Sequence, residues 1–289
     1  MFTIAACNYI FREVHDFGDF ADHVIEVLDA AGPVDLVVLP ELLSMELMTA
    51  LPEWSEASLA TLAGTARWAD DVAELFRAQA AQRGIHVLGG SHLWEGPDGL
   101  RNRAQLHGPE GLVTEHCKTH LFPAEFALGV TEGDEMGVAQ LPFVRAGINI
   151  CYEAEIPECS ASVTEQGAEL ILTPSLTFTE AGFWRVRHCA QARAVENQVF
   201  VVHAGVGGPA RGPFPGAWTR SSILGPCDLP WPADGVLAEA GTNDDSVAIA
   251  TVDLEALRAN RAGGAATTFA DRRRRADRYA AWPTHIVTG

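Results

Sequence analysis

The stretch DLVVLPE at residues 35–41 is a continuous apolar run that ends at a proline followed by a glutamate. A run without polar alternation is typical of a strand buried on both faces, as in the parallel sheets of α/β proteins. In such proteins functional side chains lie where the strands end. The run therefore predicts an α/β fold and makes Glu41 the first candidate functional residue.

Strand and helix patterns alternate along the chain on both sides of this run. Apolar residues at helical spacing predict helices, and short apolar runs between turn residues predict strands. The predicted strands are residues 2–8, 35–40, 85–90, 101–107, 112–117, 144–150, 169–173, 199–204, 221–224 and 247–252, and the predicted helices are 16–31, 55–83 (one or two helices), 157–166, 179–197 and 254–260. No internal repeat or low-complexity linker interrupts them, so we expect a single α/β domain over residues 1–289.

The composition bounds the class of protein. The chain has 289 residues, 47% of them apolar, and 20 Lys and Arg against 38 Asp and Glu, which gives a net charge of −18. The apolar content supports a sizeable core, and the negative charge disfavours binding to nucleic acid or to an anionic membrane. No apolar run approaches the ~20 residues of a spanning helix, and the first residues do not resemble a signal peptide. We therefore expect a cytoplasmic protein.

The cysteines and histidines give no sign of a metal site. None of the six cysteines forms a C-x-x-C pair, so we expect reduced thiols rather than a zinc site or structural disulfides. His116 and His120 are four residues apart, but they flank a predicted strand end and lack a third ligand. We expect neither a metal nor a cofactor.

Three predicted strands are each followed by a reactive side chain: Glu41, Lys118 and Cys151. A carboxylate can take the proton of a thiol, the thiolate can attack an electrophilic carbon, and an ammonium can hold the oxyanion that develops. Lys118 is the only lysine beside 19 arginines, which indicates a position that requires a compact ammonium. Each residue alone has a structural alternative, as a capping acid, a surface cation or a core thiol. Together they predict nucleophilic catalysis.

Four segments carry a family resemblance: VVLPE at 37–41, KTHLFP at 118–123, GINICYE at 147–153 and AQARAVEN at 190–197. In this order they resemble the nitrilase (carbon–nitrogen hydrolase) superfamily, in which the first three segments surround a Glu–Lys–Cys triad. The resemblance implies a four-layer αββα sandwich that forms a homodimer or a higher homo-oligomer. We expect the C-terminal tail, residues 265–289, to pack at that interface.

The resemblance also assigns roles within the triad. Cys151 is implied as the nucleophile, Glu41 as the general base and acid, and Lys118 as the oxyanion stabiliser. The backbone N–H of Tyr152 is implied as a second donor to the oxyanion. These roles need neither a metal nor a cofactor, because a thiolate is nucleophilic enough once its pKa is controlled.

Further positions follow from the same resemblance. The family often has a second glutamate beyond the lysine, which positions the substrate and helps to orient the lysine. Glu125 matches it, and Glu132 is the alternative. The residues expected to contact the substrate are Glu153, Ser175, Leu176 and Thr177. A helix-start acid without a ligand role is the alternative interpretation of Glu153.

The expected function is hydrolysis of the C–N bond of a small amide through a Cys thioester. The segments at 183–198 and 224–228 further resemble an amidase-like branch that is often fused to an acetyltransferase domain, and we expect no such domain here. Nitrile or N-carbamoyl hydrolysis, acyl transfer and a non-catalytic scaffold remain alternatives. Glu153 and Glu155, rather than arginines, follow the nucleophile, which favours a neutral or cationic substrate. Trp184, Arg185 and Arg187 are placed near the pocket or an oligomer contact, and Arg187 is a possible counter-charge.

Overall fold

The computed structural model describes residues 1–56, 58–279 and 281. Its strands are β1 (Phe2–Cys7), β2 (Tyr9–Ile10), β3 (Leu36–Val38), β4 (His86–Gly96), β5 (Gly99–Gly108), β6 (Gly111–Cys117), β7 (Val138–Gln140), β8 (Arg145–Ile148), β9 (Leu170–Ser175), β10 (Phe200–Gly207), β11 (Ser222–Leu224), β12 (Val236–Glu239) and β13 (Val247–Val252). Its α-helices are α1 (Phe17–Ala31), α2 (Ala69–Arg83), α3 (Pro123–Ala127), α4 (Pro157–Glu165), α5 (Glu180–Asn197), α6 (Leu254–Gly263), α7 (Thr268–Arg274) and α8 (Ala276–Tyr279). Segments of 3₁₀ helix cover Leu43–Ala50, Trp54–Glu56, Leu59–Trp68 and Cys151–Glu155.

The strands form two sheets. One has the order β13-β1-β3-β4-β5-β6, and the other has the order β12-β11-β10-β9-β8-β7, with β2 also paired to β10. The centre of each sheet is parallel, through the pairs β1–β3 and β3–β4 in one and β8–β9 and β9–β10 in the other. The segments that follow β3 and β9 meet, because the Leu176 N–H donates to the Glu41 carboxylate at 2.8 Å. The ends of these two strands, one from each sheet, therefore lie side by side.

The core explains why the central strands read as unbroken apolar runs. In β3, Leu36 and Val38 pack between the two sheets, while Val37 packs on the opposite face against the layer of α1 and α2. In β9, Leu172 packs between the sheets, while Ile171 packs against the layer of α4 and α5. Both faces of these strands are therefore buried. The result is a four-layer αββα sandwich, which confirms the predicted fold.

The prediction of helix over residues 55–83 is wrong in its first half. The α-helix begins only at Ala69, after the 3₁₀ segment Leu59–Trp68. Within that segment the Thr65 hydroxyl donates to the Leu62 carbonyl, three residues back, at 2.7 Å. Gly64 lies beside it. A side chain that competes for backbone hydrogen bonds and a glycine both disfavour regular α-helix.

The elements that the sequence did not predict are short. They are β2, β7, β12, α3, α7, α8 and the 3₁₀ segments, none of which carries enough periodicity to be recognised. Strand β9 also continues through Pro174 to Ser175 instead of ending before the proline, because β10 pairs with it as far as Gly205.

The described part of the C-terminal tail packs on its own chain. Arg272 donates to the Asn197 side chain at 2.8 Å, and Arg273 donates to the Thr164 carbonyl at 3.0 Å. Residues 280 and 282–289, which the expected interface segment includes, lie outside the described residues. Across the described ranges, we find no helix whose length and apolar character would let it cross a membrane.

Candidate active site

A cavity of about 390 Å³ lies at the edge where the loops after β3, β8 and β9 meet. Most of its wall is apolar and includes Leu42, Met45, Leu62, Phe122, Leu128 and Phe178. Charged side chains line it in two groups, one of Glu41, Lys118 and Glu125 and one of Glu155 and Arg185. Cys151 also lines it, so all three residues of the predicted triad share this cavity.

Lys118 is held by two carboxylates. Its Nζ donates to Glu41 Oε1 at 2.7 Å and to Glu125 Oε2 at 2.5 Å. Lys118 is 1% exposed, Glu41 2% and Glu125 5%, so the cluster is shielded from water. Glu132 is exposed and reaches only the Leu121 N–H, at 3.5 Å. The structure therefore brings Glu125, rather than Glu132, to the lysine.

Asn102 completes this cluster, and the sequence analysis missed it. Its Nδ2 donates to Glu41 Oε1 at 3.0 Å and to Glu125 Oε1 at 2.8 Å. The residue lies on β5 and is 1% exposed. The signal in the sequence was a polar side chain in phase with Ala104 and Leu106, which face the core between the sheets. A buried amide at such a position needs polar partners.

Cys151 begins a sharp turn at the end of β8. Its φ is 46°, in the left-handed region that a non-glycine residue seldom adopts, and it opens the 3₁₀ segment Cys151–Glu155. The residue is 6% exposed, and its Sγ donates to the Leu176 carbonyl at 3.8 Å. As at every helix start, the first N–H groups, which include that of Tyr152, have no partner within the turn. The turn thus holds the Cys151 thiol in the wall of the cavity.

Burial and charge set the protonation states of the cluster. Burial, reinforced by the charge of Glu125, raises the pKa of Glu41 above its ordinary value, although Lys118 opposes the shift. Burial alone would lower the pKa of Lys118, but the charges of Glu41 and Glu125 outweigh it and raise that pKa. Burial and the neighbouring Glu41 carboxylate raise the pKa of Cys151 well above that of a free thiol. At neutral pH the cluster holds an ammonium and a neutral thiol beside a carboxylate of raised proton affinity.

Glu153 does not contact the cavity, so its expected contact with the substrate is corrected. It is fully buried and accepts hydrogen bonds from the Ile150 N–H at 2.6 Å and from both the N–H and the hydroxyl of Thr119 at 2.7 and 2.6 Å. His116 Nε2 lies 2.9 Å from it. Burial would raise the pKa of Glu153, but the charge of His116 and the hydrogen bonds lower it. Its contacts tie the segment after Lys118 to the segment before Cys151.

Of the other residues expected to contact the substrate, some line the cavity and some do not. Leu176 and Thr177 line the cavity, whereas Ser175 is 1% exposed and lies outside the lining, with no hydrogen-bond partner for its hydroxyl among the described residues. Arg187 is also turned away, with its guanidinium 3.5 Å from Glu239. Arg185 is the arginine that reaches the cavity. Of the two arginines that the sequence placed near the pocket or an oligomer contact, Arg185 therefore lines the cavity, whereas Arg187, the possible counter-charge, does not.

Sequence comparison identifies the family of the chain. The carbon–nitrogen hydrolase family model matches residues 3–262. The probable hydrolase YhcX of Bacillus subtilis (strain 168) is 34% identical over 276 residues, which cover 94% of this chain and 53% of that protein. The omega-amidase NIT2 of Xenopus tropicalis is 30% identical over 187 residues, covering 62% of this chain and 65% of that protein. The chain thus spans about half the length of the first relative and less than two thirds of the second.

Solved structures share the fold. Nit3 of Saccharomyces cerevisiae, a member of the nitrilase superfamily, superposes with a TM-score of 0.70 at 21% identity, over 90% of this chain and 93% of that one. The NitN amidase from Nesterenkonia sp. AN1 superposes with a TM-score of 0.67 at 22% identity, over 91% of this chain and 97% of that one. The sandwich and the family match agree. The chain belongs to the carbon–nitrogen hydrolase family.

Proposed function

We propose that this protein hydrolyses a small non-peptide amide through a thioester on Cys151. One observation carries the proposal: a buried lysine shared by two buried carboxylates lines the same cavity as a buried thiol. The amidase from Nesterenkonia sp. AN1, which has the same fold, contains an active-site cysteine. Omega-amidases are among the sequence relatives. Both likenesses support an amide as the substrate.

The first step is attack by Cys151. Because burial keeps the thiol protonated at rest, a base must take its proton as Sγ bonds to the amide carbon. Glu41 suits this role, since its raised pKa increases its affinity for that proton. The electron pair of the C=O bond moves to oxygen, where Lys118 Nζ and the Tyr152 N–H stabilise the negative charge. One such donor typically contributes ~3–4 kcal/mol to the transition state.

The second step releases ammonia or an amine, and the third releases the carboxylic acid. Protonated Glu41 gives its proton to the amide nitrogen, the C–N bond breaks, and ammonia or an amine leaves a Cys151 thioester. A water molecule then attacks the thioester as Glu41 takes its proton. The C–S bond breaks, the carboxylic acid leaves, and the thiol regains the proton. Side chains and water supply every proton and electron pair, so the proposal includes neither metal nor cofactor.

Three other chemistries would use the same groups. A nitrile or an N-carbamoyl group offers a comparable electrophilic carbon, and an amine in place of water at the thioester gives acyl transfer. A non-catalytic scaffold would keep the fold without turnover. We favour the amide, because the sequence relatives and the structural neighbour with assigned activities are named amidases.

The test is ammonia release across a panel of aliphatic amides, dicarboxylate monoamides, N-carbamoyl amines and nitriles. We expect the wild type to release ammonia from an amide and Cys151→Ala to release none. Product analysis with and without an added amine separates hydrolysis from acyl transfer. Equal release by the two proteins would contradict the proposal.

We further propose that residues 1–289 form a single catalytic domain that works in the cytoplasm as a homodimer or a higher homo-oligomer. The family match over residues 3–262 supports one domain. Helix α7, in the tail, contacts α5 through the hydrogen bond from Arg272 to Asn197. It therefore extends the helical layer through which a second copy would bind. Sedimentation velocity of the full chain tests the assembly, and a monomer at every concentration would contradict it.

A further inference from the structure

We propose that the ion pair of Glu155 and Arg185 recognises a zwitterionic head group, so that the substrate is an α-amino acid whose side chain ends in the amide that Cys151 attacks. This inference rests on the proposed function, because it concerns the far end of the same cavity. It names a substrate class that the triad alone does not select.

The pair is built into the cavity wall by two neighbouring elements. Glu155 ends the 3₁₀ segment that begins at Cys151, and Arg185 lies on α5 one turn beyond Gly182, which also lines the cavity. Arg185 Nε donates to Glu155 Oε2 at 2.8 Å. The Glu155 side chain is 12% exposed and that of Arg185 49%. The carboxylate is therefore more buried than the guanidinium, which is half exposed to solvent.

Each partner keeps unused capacity for a ligand. Among the described residues, Arg185 donates only from Nε, so both terminal nitrogens of its guanidinium are available. Glu155 accepts that bond through Oε2, and within the same part of the chain Oε1 accepts none. An ammonium beside Oε1 and a carboxylate beside the guanidinium fork would be bound at the same time.

The charges favour a zwitterion over a single charge. An anion alone at this wall would face the carboxylate of Glu155, and a cation alone would face the guanidinium of Arg185. Two carboxylates and one ammonium also make the catalytic end of the cavity negative. A substrate carboxylate is therefore best placed at the mouth, beside Arg185.

The spacing fits an amide at the end of a short side chain. Glu155 follows Cys151 by four residues of 3₁₀ helix, a rise of about 8 Å at ~2 Å per residue. The backbone positions that carry the thiol and the carboxylate are thus separated by a distance comparable to the length of a short side chain. The apolar wall residues Leu42 and Met45 are suited to methylene groups of that length.

Four amides of matched chain length test the inference: glutamine, glutaramate without the ammonium, 4-aminobutanamide without the carboxylate, and butanamide without either. We expect the wild type to have its highest kcat/KM on glutamine. Glu155→Gln should lower kcat/KM for glutamine about 10-fold to 100-fold, until glutamine is no better than glutaramate. Arg185→Gln should reduce kcat/KM for glutamine to the value for 4-aminobutanamide.

Matched controls remove comparable charges elsewhere. Glu74 and Arg77 form an exposed ion pair on α2 outside the cavity, with side chains 61% and 50% exposed. Glu74→Gln and Arg77→Gln should leave the order of the four amides unchanged. Similar rates on all four amides, or variants at 155 and 185 that slow butanamide as much as glutamine, would overturn the inference while the hydrolase remained.

Binding to Cys151→Ala separates the two proposals. Calorimetry should detect glutamine binding that is lost in Cys151→Ala/Glu155→Gln and in Cys151→Ala/Arg185→Gln. If the wild type hydrolyses no amide yet glutamine binds with this dependence, the proposed function fails and the head-group site stands. If neither glutamine binding nor a glutamine preference depends on these two residues, the head-group site fails.

Discussion

Glu41 and Glu153 are both buried carboxylates near Cys151, yet their surroundings shift their pKa values in opposite directions. Glu41 shares the ammonium of Lys118 with a second carboxylate, and burial raises its pKa. Glu153 receives three hydrogen bonds from its own chain and lies beside His116, and its pKa is lowered in spite of burial.

The difference separates a carboxylate that exchanges protons from one that fixes the backbone. Glu41 borders the cavity, and burial together with the neighbouring charge of Glu125 raises its pKa, so it binds a proton more readily than a free glutamate does. Glu153 has no access to the cavity and gives up hydrogen bonds if it is protonated. Under the proposed mechanism, the raised pKa and the position at the cavity distinguish Glu41 as the proton acceptor, whereas the nearness of Glu153 to Cys151 in the sequence does not.

The largest effect is expected at Glu41. Glu41→Gln removes the proton acceptor while it keeps the shape of the side chain, so kcat/KM should fall about 10²-fold to 10⁴-fold. The variant should fold but melt at a lower temperature, since the single amide oxygen can accept from Lys118 while the Leu176 N–H loses its acceptor. Activity within a few-fold of wild type would remove Glu41 from the mechanism.

Lys118→Arg should be almost as damaging, although it keeps the positive charge. A planar guanidinium cannot place a compact charge between Glu41 and Glu125 at the distances that Nζ occupies. Loss of one oxyanion donor predicts a fall in kcat of about 10²-fold to 10³-fold. Near-normal turnover by this variant would refute the need for a point charge, and Arg77→Lys on the surface is the matched control.

Asn102→Leu should have a smaller effect with a diagnostic pH dependence. In the wild type kcat/KM should rise with pH as Glu41 loses its proton, with a midpoint above the ~4.3 of a free glutamate. Because the Asn102 amide stabilises the charged form, its removal should raise the pKa of Glu41 and move this rise to higher pH. We expect about 10-fold lower activity at neutral pH. If the midpoint of the rise in kcat/KM stays at the same pH or moves to lower pH, Asn102 contributes to packing alone.

Glu153→Gln should act on stability more than on chemistry. Replacing a buried carboxylate that accepts three hydrogen bonds should cost about 1–3 kcal/mol of unfolding free energy, while activity per folded molecule should change less than 10-fold. Since the folded pKa is lowered, the stabilisation is present above the unfolded pKa and lost as pH falls through the folded value. Between pH 7 and pH 3 the unfolding free energy, measured with denaturant, should therefore decrease less in the variant than in the wild type. A 10³-fold loss of activity at unchanged stability would erase the contrast with Glu41.

A pair of variants separates the two candidates for the second glutamate, and one of them should have almost no effect. Glu125→Gln removes a carboxylate that contacts Lys118 at 2.5 Å, and kcat/KM should fall at least about 10-fold. Glu132→Gln changes an exposed side chain, and steady-state rates should stay within about 2-fold. The reverse order would mean that the loop after Lys118 rearranges when substrate binds.

Much of the fold follows from the sequence, because the central strands are buried on both faces. Leu36, Val37 and Val38 are apolar for that reason, so an unbroken run was enough to identify β3. Glu41, Lys118 and Cys151 were identifiable because each follows a strand whose end the sequence marks.

The remaining features depend on contacts between distant segments. Asn102 looked like any polar strand residue, since its partners lie 61 and 23 residues away. Glu153 was expected at the substrate because it is next to Cys151 in sequence, but its hydrogen bonds to Thr119 turn it away from the cavity. The pairing of Glu155 with Arg185 spans 30 residues, and only the packing of α5 on the turn after Cys151 brings the two together.

The most direct test of the account is the intact mass of the protein, quenched in acid during turnover of an amide that it hydrolyses. The wild type should gain the mass of the acyl group, and peptide mapping should place it on Cys151. Cys151→Ala should gain no mass and release no ammonia. An acyl group on another residue, or ammonia release that persists in Cys151→Ala, would contradict the account.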